Sequence, residues 1–149
     1  MSLKEKISED MKSAMKSQDA FRLETIRSIR AEILKMDKSG MDREMNEEEE
    51  IQLLMRQAKM RKESIEMFES AGRLELAEKE KNQLTIINEY LPKQMTRKEA
   101  EEAVKKIISA FGELTQKDFG KVMGAAMKEL KGKIDGKLIQ DIIKNILPS

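Results

Sequence analysis

Lysines that could bind phosphate are concentrated in residues 118–136, whose sequence is DFGKVMGAAMKELKGKIDG. Together with the lysines just before and after it, this stretch carries six lysines against three carboxylates, a local net charge of +3. Such an excess of positive charge attracts polyanions, although a solvated lysine face is the alternative interpretation. The predicted phosphate-contacting residues are Lys121, Lys128, Lys131, Lys133 and Lys137.

The same stretch contains four glycines, and their spacing suggests close approach of another backbone. Gly120 and Gly124 lie one helical turn apart, and we expect them to face a neighbouring helix, because a helical glycine costs about 1 kcal/mol relative to Ala. The alternative is that a nucleic-acid backbone approaches there. Gly132 and Gly136 belong to the turn that follows, where amides at a helix start and nearby ammonium groups would suit one phosphate.

A second basic cluster lies along one predicted helix of the amino-terminal part and contains Arg22, Arg27 and Arg30, continued by Lys35 and Lys38. Arginine binds phosphate in a bidentate manner more readily than lysine does. The alternative is a set of salt bridges to acidic residues of the third or fourth helix. A third basic patch is open to the same two interpretations: Arg56, Lys59, Arg61 and Lys62.

The residue types of most enzyme sites are missing from the chain. It contains neither histidine nor cysteine, which excludes imidazole acid–base chemistry, thiol nucleophiles, disulfides and Cys/His zinc sites. The DFG triplet at residues 118–120 lacks the other protein-kinase motifs, and no phosphate-loop or nucleophile-elbow pattern occurs. Carboxylates mostly stand beside Lys or Arg, where surface ion pairs explain them. We therefore predict no catalytic residues, no metal and no cofactor.

The elements that must position these residues are predicted to be helices throughout, giving an all-α fold. Charged residues make up 38 % of the chain and aromatic residues 3 %, a composition typical of packed amphipathic helices. In residues 1–92 we predict four helices, beginning at caps Ser2, Asp19 and Asn46 and, for the fourth, after the helix-ending Gly72. Residues 37–46 are predicted to form a loop, and Met15 is placed on the buried stripe of the first helix.

The carboxy-terminal part, residues 93–149, is predicted to be a module of three helices. Thr96 with Glu99 forms a capping-box pattern, Thr115 opens the next helix and Asp135 caps the last. Phe111 is placed on the buried stripe of the first of these helices. The boundary is placed at Pro92, because proline interrupts the helical pattern before a new cap begins.

Charge differs between the two parts. Residues 1–92 hold 17 basic and 20 acidic residues, whereas residues 93–149 hold 12 and 8, so the second part is the one expected to meet a polyanion. No stretch approaches the roughly 20 apolar residues that a membrane span needs, and the amino terminus lacks an apolar signal segment. We therefore expect a cytoplasmic protein that makes no membrane contact.

Three motifs resemble those of the YqeY-like proteins: NEYLP at residues 88–92, GKVMG at 120–124 followed by Met127, and KGKIDG at 131–136. That family is related to the tail region of the B subunit of tRNA-dependent amidotransferases. The resemblance covers essentially the whole chain and implies a helical, RNA-facing accessory module. In the larger enzyme the tail helps to hold tRNA while other domains amidate it, and only the tail is represented here.

Three functions therefore remain open. The first is binding of tRNA or another RNA by the basic carboxy-terminal module. The second is a protein-interaction adaptor that uses its helical faces. The third is amidotransferase-like carbon–nitrogen ligation with glutamine as amide donor, in complex with other subunits.

Overall fold

The computed structural model describes residues 2–38 and 43–148, and these residues fold into seven α-helices and one 3-10 turn with no strand. The all-α prediction is confirmed. The helices are α1 (Leu3–Lys16), α2 (Ala20–Lys38), α3 (Glu47–Ser70), α4 (Leu74–Asn88), α5 (Arg97–Phe111), α6 (Phe119–Leu130) and α7 (Gly136–Ile146), with the 3-10 turn at Gln116–Asp118. The chain divides into two compact units, Met1–Leu91 and Pro92–Ser149.

The predicted caps explain where the helices begin. Ser2 accepts a hydrogen bond from the amide of Glu5 at 3.2 Å, and Thr96 accepts one from the amide of Glu99 at 3.2 Å, each within a complete capping box. Asn46 caps α3 in the same way. Each cap satisfies a backbone donor that has no partner inside its helix.

In the amino-terminal unit α1 packs on α2, and α3 lies along α4. Gly72, with φ of +73°, ends the α3 segment as predicted, because a left-handed residue cannot continue the helix. The buried core includes Ile26, Ile29, Leu54 and Ile87. Burial of such side chains from several helices is what holds helices of this length together.

Two predictions for this unit are wrong in detail. Helix α2 continues to Lys38, two residues into the predicted loop, and residues 39–42 of that loop lie outside the described part of the chain. Met15 is 53 % exposed rather than buried, because the buried side of α1 passes through Leu3, Ile7 and Ala14, and Met15 lies about 100° further round the helix.

The carboxy-terminal unit consists of α5, the 3-10 turn, α6 and α7 around its own core, to which Val104, Val122, Leu130, Ile139 and Ile143 contribute. Asp135 caps α7 as predicted, through a hydrogen bond from the amide of Lys137 at 3.1 Å. In the described part of the chain, no helix is long and apolar enough to span a membrane.

Candidate functional site

Helix α6 turns one side toward the core and the opposite side toward solvent. Val122, Ala126 and Leu130 are buried, and their spacing of four residues marks the inner side. The solvent-facing side carries Gly120, Lys121, Gly124 and Lys128, all of them exposed. We call these four residues the glycine–lysine face.

The prediction that Gly120 and Gly124 face a neighbouring helix of this module is wrong. A Cβ built at either glycine would have no atom within 4 Å apart from the helix's own backbone, so no part of the described chain packs there. The sequence pattern could not predict this exposure, because glycines one turn apart occur both in tight helix crossings and on open surfaces. Only the packing of α6 through its opposite side decides between the two.

The other two motif glycines have different roles. Gly132 is buried and adopts φ of +78°, a left-handed conformation that favours glycine. A Cβ on Gly136 would lie 3.8 Å from the thioether of Met127, which is ordinary van der Waals contact. Gly132 is therefore required for the turn between α6 and α7. At Gly136 there is room for a Cβ beside Met127.

The five predicted lysines divide into two groups. Lys121 and Lys128 share the solvent-facing side of α6, where their spacing of seven residues places them two turns apart. Lys131 and Lys133 are half-buried in the turn after α6, and Lys137 is exposed in the first turn of α7. Within residues 2–38 and 43–148, Lys121, Lys128, Lys133 and Lys137 form no ion pair with a carboxylate.

The acidic residues of this stretch are largely engaged elsewhere. Asp118 accepts a hydrogen bond from the amide of Thr115 at 2.9 Å, and Asp135 caps α7. Hydrogen bonds within the chain also reduce the number of free amides at the phosphate site predicted at the start of α7. Because the Asp135 carboxylate already accepts the Lys137 amide, and the Lys133 amide bonds to Leu130, these two amides are not free for a phosphate.

A groove of about 680 Å³ runs between α5 and α6 and carries an aromatic residue that we predicted to be buried. Phe111, in the last turn of α5, is 38 % exposed and lines this groove, so that prediction is wrong. The ammonium nitrogen of Lys121 lies 4.9 Å from the centroid of its ring, a cation–π arrangement. Helical spacing alone could not show this, because Ile108 in the same turn still packs against the core while Phe111 is open to the groove.

The turn that holds Lys131 and Lys133 is fixed by a residue that sequence reasoning missed. The side-chain amide of Gln94 donates hydrogen bonds to the carbonyl oxygens of Pro92 and Gly132, at 2.8 and 2.7 Å. The amide of Met95 donates to the carbonyl of Lys133 at 2.8 Å. The only signal in the sequence was the position of Gln94 between the motifs at residues 88–92 and the capping box at Thr96.

The arginine cluster of the amino-terminal unit is only partly neutralised. Arg22 pairs with Glu89 at the end of α4, with 2.5 Å between Nη2 and Oε2, and this hydrogen bond raises the pKa of the guanidinium above its usual value. Lys35 pairs with Glu32 on its own helix. Arg27 and Arg30 are exposed and have no carboxylate partner among the described residues.

The third basic patch is partly structural. Arg61 is half-buried and contacts Glu80 and the hydroxyl of Ser28, each at 3.3 Å. The other members of that patch are exposed: Arg56, Lys59 and Lys62.

Two glutamates have a displaced pKa, and both serve as structural partners. A hydrogen bond from Arg43 lowers the pKa of Glu49, and the backbone amide of Thr96 lowers that of Glu99. A lowered pKa favours the ionised form, the opposite of what a general acid needs. Among the described residues, no group of three or more acidic side chains could hold a metal ion.

Comparison with known proteins agrees with the motif resemblance. The family model described as "Yqey-like protein" matches residues 4–147. The chain is 33 % identical over 141 residues to altered inheritance of mitochondria protein 41, mitochondrial, of Pyrenophora tritici-repentis, covering 93 % of this chain and 77 % of that protein. It is 28 % identical over 130 residues to the protein of the same name in Candida glabrata, covering 87 % and 69 %. The chain therefore belongs to the Yqey-like protein family.

Proposed function

We propose that this protein is a noncatalytic accessory protein that binds RNA, with tRNA as the first candidate, through its basic carboxy-terminal unit. The observation that carries the proposal is the pair Lys121 and Lys128, which share an exposed helix side and have no carboxylate partner among the described residues. An ammonium group that is not already paired keeps its full attraction for a phosphate. Arg22, which is paired with Glu89, illustrates the opposite situation.

The shape of the glycine–lysine face supports contact with a phosphate backbone. Seven residues of helix place Lys121 and Lys128 about 10 Å apart along the axis. Between them Gly124 contributes no side chain, and a Cβ there would meet nothing within 4 Å. A polyanion could therefore lie directly against the helix while its phosphates reach the lysines on either side.

Family membership supports tRNA as the ligand, because the YqeY-like proteins resemble the tail region of the amidotransferase B subunit. This chain takes the RNA-holding role of that tail and none of the amidation chemistry. We propose a cytoplasmic location for it. The two relatives carry the word mitochondrial in their names, and the binding mechanism requires only a compartment that contains RNA.

Salt dependence of tRNA binding tests the proposal. Each phosphate contact releases counterions, so the double variant Lys121→Ala/Lys128→Ala should bind tRNA more weakly and lower the log–log salt slope by about 1 per lost contact. The double variant Lys131→Ala/Lys133→Ala should act in the same direction if the turn also contacts phosphates. The matched control is Lys105→Ala, an exposed lysine of α5 that does not line the groove.

The outcomes separate the remaining functions. Unchanged affinity and slope in folded lysine variants, checked by circular dichroism, would move the site elsewhere and make the exposed Arg27 and Arg30 the next candidates. Absence of tRNA binding by the unaltered protein at low salt would overturn the proposal and favour the protein-interaction adaptor.

A further inference from the structure

Phe111 is an unusual residue for a surface. Of the five aromatic residues in the chain, it is the one whose side chain the structure places in the exposed class among residues 2–38 and 43–148. Its ring forms one end of the α5–α6 groove. Hydration of an exposed aromatic ring is unfavourable in free energy, and a partner that stacks on the ring would remove that surface from water.

Apolar side chains line the groove together with the Phe111 ring. Ala110 and Ala125 line the groove with Phe111, and Ile107 contributes a larger apolar side chain. Alanine leaves a shallow slot whose surface is suited to a flat ring. A nucleobase has such a ring, and its stacking on an aromatic side chain depends little on which base it is.

Lys121 gives the slot a cation at the position that a phosphate would need. Its ammonium lies over the Phe111 ring, 4.9 Å from the centroid, and such an exposed cation–π contact is weak in water. Stacking of a base on an aromatic side chain is stronger than an exposed cation–π contact. A base can therefore displace the ammonium from the ring, and the released ammonium can bind the adjoining phosphate.

The charges along the groove indicate where a strand enters. Helices α5 and α6 are antiparallel, because Lys121 near the start of α6 meets Phe111 at the end of α5, and Met95 before α5 bonds to Lys133 after α6. All three carboxylates that line the groove lie toward its Met95 end: Glu99, Glu102 and Glu129. Lys106 and Lys128 also line the groove and offset part of this negative charge. The Phe111 end has no lining carboxylate and has Lys121 beside the ring, so a base and its phosphate are best accommodated there.

The geometry points to a binding site for one unpaired nucleobase of RNA, stacked on Phe111 with its phosphate on Lys121. This inference rests on the proposed RNA-binding function and specifies it, because a base inside an intact duplex is already stacked on its neighbours. The site therefore selects loops, ends or single-stranded segments.

A tryptophan placed in the slot would report stacking directly. The chain has no tryptophan, so in a Phe111→Trp variant the introduced indole is the only one that emits. A short oligoadenylate should quench its fluorescence, whereas an abasic oligomer of the same length and charge should not. The matched control is Phe119→Trp, since Phe119 is half-buried against the core and has Lys144 at 5.9 Å from its ring. Its emission should not respond.

A second variant separates stacking from charge. Phe111→Leu keeps an apolar side chain but removes the aromatic face, and it should weaken oligoadenylate binding about tenfold without changing the salt slope. Lys121→Ala should instead lower the slope. Thermal unfolding of both variants checks that they remain folded.

The outcomes distinguish this inference from the function on which it rests. If oligoadenylate and tRNA bind with a steep salt slope but the indole is not quenched and Phe111→Leu has no effect, the stacking site is wrong and the RNA-binding function stands. If the unaltered protein binds neither RNA, both are wrong. Quenching by the abasic oligomer as strongly as by oligoadenylate would also overturn the site, because phosphate contact alone would then explain the signal.

Discussion

The side-chain amide of Gln94 donates a hydrogen bond to the carbonyl oxygen of Gly132 at 2.7 Å. The next residue, Met95, donates its backbone amide to the carbonyl of Lys133 at 2.8 Å. These two bonds join the segment before α5 to the left-handed turn between α6 and α7. The position of the lysines in that turn therefore depends on a residue 38 positions earlier in the chain.

Replacement of Gln94 by Ala should destabilise the carboxy-terminal unit and loosen this turn. The variant loses bonds to two backbone carbonyls, so we expect its free energy of unfolding to fall by about 1–2 kcal/mol in urea denaturation. Binding of tRNA should weaken as well, because the turn that carries Lys131 and Lys133 loses its bond to Gln94 and keeps the one to Met95.

Gln116→Ala is the control for this prediction. The amide of Gln116 also donates to two carbonyls, those of Lys144 and Leu147, but it lies away from the lysine turn. Gln116→Ala should lower the free energy of unfolding by a similar amount and leave the affinity for tRNA unchanged. Equal losses of affinity in the two variants would show that the effect is general destabilisation.

Replacement of the exposed glycines of α6 by Ala should raise the free energy of unfolding but weaken the binding of tRNA. Gly124→Ala should raise the free energy of unfolding by up to about 1 kcal/mol, because Ala is a better helix former and its Cβ meets nothing within 4 Å. Gly120→Ala should raise the free energy of unfolding by less, because Gly120 lies in the first turn of α6 and not in the helix interior. If RNA lies against this face, both variants should bind tRNA more weakly despite their greater stability.

Gly132→Ala provides the contrast, because its φ of +78° strains any residue with a Cβ. We expect it to lose about 1–2 kcal/mol. Stabilised Gly120 and Gly124 variants with unchanged tRNA affinity would mean that no partner approaches this side of α6 closely.

Tyr90, the single tyrosine of the chain, should titrate abnormally. Burial first, and then its hydrogen bond to Asp10, raise the pKa of the hydroxyl above its ordinary value near 10. Because the folded pKa is the higher one, the associated stability is present below pH about 10 and is lost as pH rises from there toward the folded pKa.

Absorbance of tyrosinate measures this ionisation in the intact protein. Asp10→Asn should lower the pKa of Tyr90, because it removes the negative charge that faces the hydroxyl. Tyr90→Phe should make the unfolding free energy less dependent on pH above about 10. A Tyr90 that titrates normally in the folded protein would contradict the contact with Asp10.

The purified protein should neither hydrolyse ATP nor release ammonia from glutamine. The chain lacks histidine and cysteine, and it contains no phosphate-loop motif. Coupled assays for phosphate and ammonia test this, with heat-unfolded protein as the background. Turnover that survives repurification and follows the protein through a sizing column would overturn the noncatalytic assignment.

The sequence by itself determined the parts of this molecule that depend on local interactions. Capping residues such as Ser2, Asn46 and Thr96 mark helix starts because the cap and the amide it satisfies are three residues apart. Gly72 marks a helix end for an equally local reason, its left-handed backbone. The excess of lysine after Pro92 was likewise countable without any structure.

Tertiary structure decided which surfaces are left open. The periodicity of α5 includes Phe111 in the apolar stripe, and the spacing of Gly120 and Gly124 is the same on a buried as on an exposed helix side. Burial depends on where neighbouring helices end, which involves residues far apart in the chain. The bond from Gln94 to Gly132 and the contact of Lys121 with Phe111 arise for the same reason, since each joins two segments that only the packed helices bring together.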